Sequence, residues 1–71
     1  MASLTMQITL NGQVHPLPEP TTVAGLLMSL GFANKPVVVE LNREAIFPRD
    51  FNITPVNDGD QIEIVTLAAG G

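Results

Sequence analysis

Apolar and polar side chains alternate through Met6-Gln7-Ile8-Thr9-Leu10, the pattern of a strand with one face on a core. Asn11-Gly12 comes next, a pair that accepts positive φ at both positions and closes a tight hairpin. The return strand runs over Gln13–Leu17, and Pro16, which cannot donate to a ladder, assigns it to a sheet edge. After Pro18-Glu19-Pro20 the period changes. Val23, Leu26, Leu27 and Leu30 recur at the spacing of one helical face. Thr21-Thr22 offers the N-cap, and Gly31 stands where a left-handed C′ residue ends a helix. Gly25 costs about 1 kcal/mol relative to alanine, so this helix depends on packing.

Val37-Val38-Val39-Glu40-Leu41 is β-branched and reads as a third strand. Asn42-Arg43 turns the chain into a short strand over residues 44–47, stopped by Pro48. Phe51, Ile53 and Val56 are expected to plug the core from an irregular segment. Asn57-Asp58-Gly59-Asp60 is a polar turn, and residues 61–67 form the last strand. The order is ββαββ. A single helix can bury its stripe only against one sheet face, which predicts a two-layer α+β domain. Side chains alternate across a strand, so if Ile62 and Ile64 face the helix, Glu63, Val65 and Leu67 face away. By the same count Val37, Val39 and Leu41 point inward and Val38 points out. Residues 1–5 read as a loose N-terminal extension and 6–67 as the domain. Ala68-Ala69-Gly70-Gly71 has no means of packing and is expected to be a mobile tail.

Composition narrows the function. With 71 residues, no Cys and one His, neither disulfides nor a structural zinc site can support the fold, and packing must do so alone. The formal charge is -4, and Lys35, Arg43 and Arg49 are the only strong cations, a poor match to nucleic acid phosphates. No apolar run approaches the roughly 20 residues needed to span a bilayer, and Met1-Ala2-Ser3-Leu4-Thr5 has neither the basic nor the apolar region of a signal peptide. A cytoplasmic location, without membrane or nucleic acid partners, is the expectation.

Chemistry is conspicuous mainly by what is missing. Cysteine nucleophiles, iron–sulfur ligation and a Gly-rich phosphate loop are all lacking. His15 has no Ser and Asp at a recognisable spacing, and the acids around Gly59 fit a turn rather than a calcium loop. No metal or bound cofactor is expected, and no self-sufficient enzyme. What remains is the Gly70-Gly71 end. Glycines lack Cβ and can enter a narrow groove. The carboxylate of Gly71 is unhindered; attack on ATP would give an acyl-adenylate, and sulfide replacing AMP would leave a thiocarboxylate.

The chain resembles the thiamine-biosynthesis sulfur carrier family, ThiS, over residues 6–71. The resemblance is carried by Leu10-Asn11-Gly12, Leu17-Pro18, Thr22-Val23-Ala24 with Leu26-Leu27, and Val37-Val38-Val39-Glu40 with Asn42. Pro48-Arg49, Asp58-Gly59-Asp60-Gln61-Ile62-Glu63-Ile64-Val65 and Gly70-Gly71 complete it. The segment between Arg49 and Asp58 is a residue shorter than the family pattern, with Phe51 in a shifted position. The resemblance implies a ubiquitin-like β-grasp fold: one helix on a mixed four- to five-stranded sheet, the first and last strands parallel at its centre and the third beside the last. It also implies that Gly71 is adenylated by an E1-like enzyme using ATP. A donor such as a cysteine desulfurase then converts it to a thiocarboxylate, and thiazole synthase receives the sulfur. With the third and last strands adjacent, Val38, Val65 and Leu67 would form an apolar partner-binding patch, with Arg49 at its rim. A molybdopterin-type or other ubiquitin-like carrier, and a non-carrier β-grasp binding module, stay open as alternatives.

Overall fold

The computed structural model describes residues 6–67. The expected extension over residues 1–5 and the tail Ala68, Ala69, Gly70 and Gly71 lie outside them. The elements are β1 (Met6–Leu10), β2 (Gln13–Leu17), β3 (Thr21–Thr22), α1 (Val23–Ser29), β4 (Val37–Leu41), β5 (Glu44–Ile46), a 3-10 turn (Pro48–Asp50), β6 (Pro55–Val56) and β7 (Gln61–Thr66). Five strands form one mixed sheet in the order β2-β1-β7-β4-β5, with β1 and β7 parallel and the other neighbours antiparallel. With one helix on one face, this is the β-grasp arrangement. Among the described residues no helix is long and apolar enough to cross a membrane.

Both hairpins turn where the sequence provides for it. Asn11 and Gly12 have φ of 50° and 84°, as a primed two-residue turn demands. Asn42 and Arg43 do the same at 51° and 72°, and Arg43 takes on that left-handed backbone without being glycine or asparagine. The two asparagines also grip β7. Ile64 N–H donates to Asn11 Oδ1 at 2.8 Å, and Asn11 Nδ2 donates to the Ile64 carbonyl at 3.2 Å, extending the β1–β7 pairing past the end of β1. On the other side Gln61 N–H donates to Asn42 Oδ1 at 2.9 Å, and Asn42 N–H donates to the Gln61 carbonyl at 2.7 Å.

The helix is capped at both ends. Gly25 N–H donates to Thr22 Oγ1 at 3.1 Å, while Val23 N–H and Ala24 N–H donate to the carbonyls of Thr54 and Phe51, each at 2.9 Å. The first-turn donors that a helix leaves unpaired are thus satisfied. At the other end Phe32 N–H reaches the Leu27 carbonyl at 2.8 Å and Gly31 N–H the Met28 carbonyl at 3.1 Å, a Schellman closure around Gly31 at φ 86°. Gly25 has a local reason too, since a Cβ there would collide with Thr21 Oγ1.

Val23, Leu26 and Leu27 bury the helix stripe against Ile8, Val39, Ile62 and Ile64. Leu30 is half-buried and forms the C-cap rather than the last turn. Leu17 and Val56 join the core, with Phe51 packed against it. Ile53 departs from expectation: it is 74% exposed, because its segment curls through Asp50–Thr54 bonds that turn this side chain outward. The polar turn before β7 is structural. Asp60 Oδ2 accepts from Asn57 N–H at 2.7 Å, and Asp58 Oδ1 accepts from Gln7 N–H at 2.8 Å.

Candidate functional site

Two surfaces could carry chemistry, and one of them assembles nothing reactive. His15, Glu19 and Ser29 line a groove of about 170 Å³ between β2 and α1. Ser29 Oγ is committed to the Leu26 carbonyl at 2.8 Å, and among the described residues no hydrogen bond joins it to His15. A nucleophile needs a base within hydrogen-bond reach. Nor do the described residues include a group of three or more His, Cys, Asp or Glu arranged to hold a metal.

The other surface is the open face of the sheet, opposite α1. Register puts Val38 directly across from Val65, while their neighbours Val39 and Ile64 pair on the buried side. Val65 and Val38 are 58% and 43% exposed, so the expected outward parity is what the strands adopt. Leu67 follows on the same side, 51% exposed, and its N–H donates to the Pro36 carbonyl at 3.0 Å, carrying the pairing beyond β7. Three of the four residues expected to form a patch therefore come together.

Arg49 sits on the 3-10 turn after β5, and it joins this surface through a residue that sequence reasoning missed. β5 pairs with β4 through Val39↔Ile46 and Glu40↔Ala45. The same register carried one residue further sets Phe47 opposite Val38, with extended backbone (φ -72°, ψ 144°) and 60% exposure. The Arg49 guanidinium lies over the Phe47 ring, 5.0 Å from its centroid, a cation–π contact. The available signal was parity: Ala45 and Phe47 share a face with Val38. Pro48, read as a stop, concealed it.

One residue pair further along, the face changes character. Glu40 and Glu63 stand directly opposite each other, with Ala45 beyond Glu40. Like charges directly opposed across strands destabilise a sheet. These two, with Arg43 and Gln61, line a shallow depression of about 100 Å³. From the Leu67 end, the surface is thus an apolar row followed by an acidic one. Exposed apolar patches on a small domain mark interaction sites.

Known proteins are similar to this chain in sequence and fold. The ThiS family matches residues 7–71. A protein named thiazole synthase from Magnetococcus marinus is 41% identical over 66 residues, which cover 93% of this chain but 20% of that one. The chain thus spans about a fifth of that relative's length. The sulfur carrier protein ThiS of Thermus thermophilus is 39% identical over 64 residues, covering 90% of this chain and 98% of its own. Among solved structures, the thiamine biosynthesis protein ThiS from Geobacter metallireducens superposes with a TM-score of 0.80 at 36% identity, covering 93% of this chain and all of the other.

Proposed function

The chain belongs to the ThiS family, and from that premise we propose that it is a sulfur carrier for thiamine biosynthesis whose working group is the carboxylate of Gly71. An E1-like enzyme presents ATP; a carboxylate oxygen attacks the α-phosphorus and pyrophosphate leaves. The terminal persulfide sulfur of a donor such as a cysteine desulfurase displaces AMP at the acyl carbon, giving an acyl disulfide. A thiol then cleaves its S–S bond to leave the thiocarboxylate and a new disulfide. Thiazole synthase takes that sulfur into the thiazole ring and returns the carboxylate. The protein is a recycled co-substrate, not a catalyst, and the ATP is bound by its activating partner.

The observation that carries this reading is the family match running through Gly70-Gly71. Thiazole synthase is favoured over a molybdopterin synthase as acceptor because a thiazole synthase chain contains a stretch similar to this one. The open face supports it as well. Four residues separate Leu67 from the end of Gly71, a span of at most about 13–14 Å when fully extended. An enzyme that holds Gly71 in its active site must therefore lie against the surfaces nearest Leu67, and the apolar row begins there.

Deleting Gly71, or adding one residue after it, is expected to abolish ATP–pyrophosphate exchange with the E1-like enzyme while the melting temperature stays unchanged. Exchange at the normal rate in either variant would refute the carrier reading.

A further inference from the structure

The carboxylates of this protein are used unequally. Asp58 and Asp60 each accept hydrogen bonds that build the turn before β7. Glu40 and Glu63 enter none of the side-chain hydrogen bonds among the described residues. Yet they are opposed on one face, beside the apolar row and over an open depression. Arg43 borders that depression, so one guanidinium stands against two carboxylates and an excess of negative charge remains. Such a pair opposes the fold that holds it, and one cation placed between the two would neutralise both together.

We propose that the enzyme activating Gly71 reads this face as a unit, through an apolar docking surface that carries an arginine or lysine seated between Glu40 and Glu63. The proposal rests on the carrier reading and goes beyond it by assigning the partner's chemistry. The short reach from Leu67 brings the enzyme against Leu67, Val65 and Val38. Along β7, Glu63 is only two residues behind Val65, roughly 7 Å away. A docking surface that covers the valine pair therefore meets the glutamate pair. A wholly apolar surface would desolvate two opposed carboxylates without compensation, whereas a cationic side chain turns the same contact favourable. A guanidinium suits it best, since its planar fork can donate to two carboxylates at once. The acidic row thereby selects against enzymes whose corresponding surface is neutral or acidic.

The test measures calorimetric affinity of the full chain for the E1-like enzyme at low and high salt. In the double variant Glu40→Gln, Glu63→Gln, affinity at low salt is expected to fall about tenfold and its salt dependence to flatten. A control with the same change in net charge, Glu19→Gln with Glu44→Gln, is expected to bind like the wild type. A folded Glu40/Glu63 variant with wild-type affinity and salt dependence would overturn the proposal and leave the carrier reading intact. So would a control that weakens binding equally, since net charge rather than the pair would then be recognised. Absence of ATP–pyrophosphate exchange with the wild-type chain would instead overturn the carrier reading, and this assignment with it.

Discussion

Asn11→Ala tests how the central strand is held. Asn11 makes two hydrogen bonds to Ile64, at 2.8 and 3.2 Å, and does so from a backbone φ of 50°. Alanine removes both bonds, each worth about 0.5–1.5 kcal/mol net. It must also occupy the left-handed region, at roughly 1–2 kcal/mol. Together the loss is roughly 2–5 kcal/mol, against about 5 kcal/mol for a domain of this size. Asn11→Gly separates the two contributions: glycine accepts the positive φ but lacks the bonds, so it is expected to lose only about 1–3 kcal/mol. Urea unfolding followed by circular dichroism measures both, with the slope m unchanged if the native surface is preserved. An alanine variant whose midpoint coincides with the wild type would refute the role of these bonds. Glycine and alanine variants of equal stability would refute the backbone contribution.

Leu27, only 4% exposed within the helix stripe, is the corresponding test of the core. Leu27→Ala is expected to cost about 2–5 kcal/mol and leave the chain largely unfolded, and an unchanged melting temperature would show that this stripe does not support the domain. Val65→Asp places a third carboxylate beside Glu63 and Glu40 in the middle of the apolar row. It is expected to weaken binding to the E1-like enzyme or to thiazole synthase while the domain stays folded, and unaltered affinity for both would eliminate the patch.

Much of the architecture was legible because its signals are local: alternation, turn residues and helix caps. Alternation over Met6–Leu10 and along β7, the Asn11-Gly12 turn, the Thr22 N-cap and the Gly31 terminus all specify local geometry, and the structure follows each of them. What such local signals do not encode stayed hidden. The small sheet of β3 and β6 has two residues in each strand, too few to show any alternation. In the aperiodic segment after Pro48, apolar character could not distinguish exposed Ile53 from buried Val56. Parity gave the outward side of Val38, Val65 and Leu67. Their meeting, and the opposition of Glu40 to Glu63, depend on β4–β7 register, which single-strand patterns do not contain. Gly71 was singled out by chemistry and family resemblance, and it lies outside the described residues.

The parallel pairing of β1 with β7 also sets a timetable for folding. The ribosome makes β7 after every other strand described, yet β7 sits at the middle of the sheet. Until it emerges, β1–β2 and β4–β5 are two separate hairpins, each marginal by itself, and the helix stripe has no continuous surface to cover. The rewarding contact, Thr9 against Gln61, closes nearly the whole domain as a loop before anything is gained. Folding therefore waits until β7 has been made. A chain broken off before β7 lacks the strand that joins the two hairpins, so the open face of the sheet is never built.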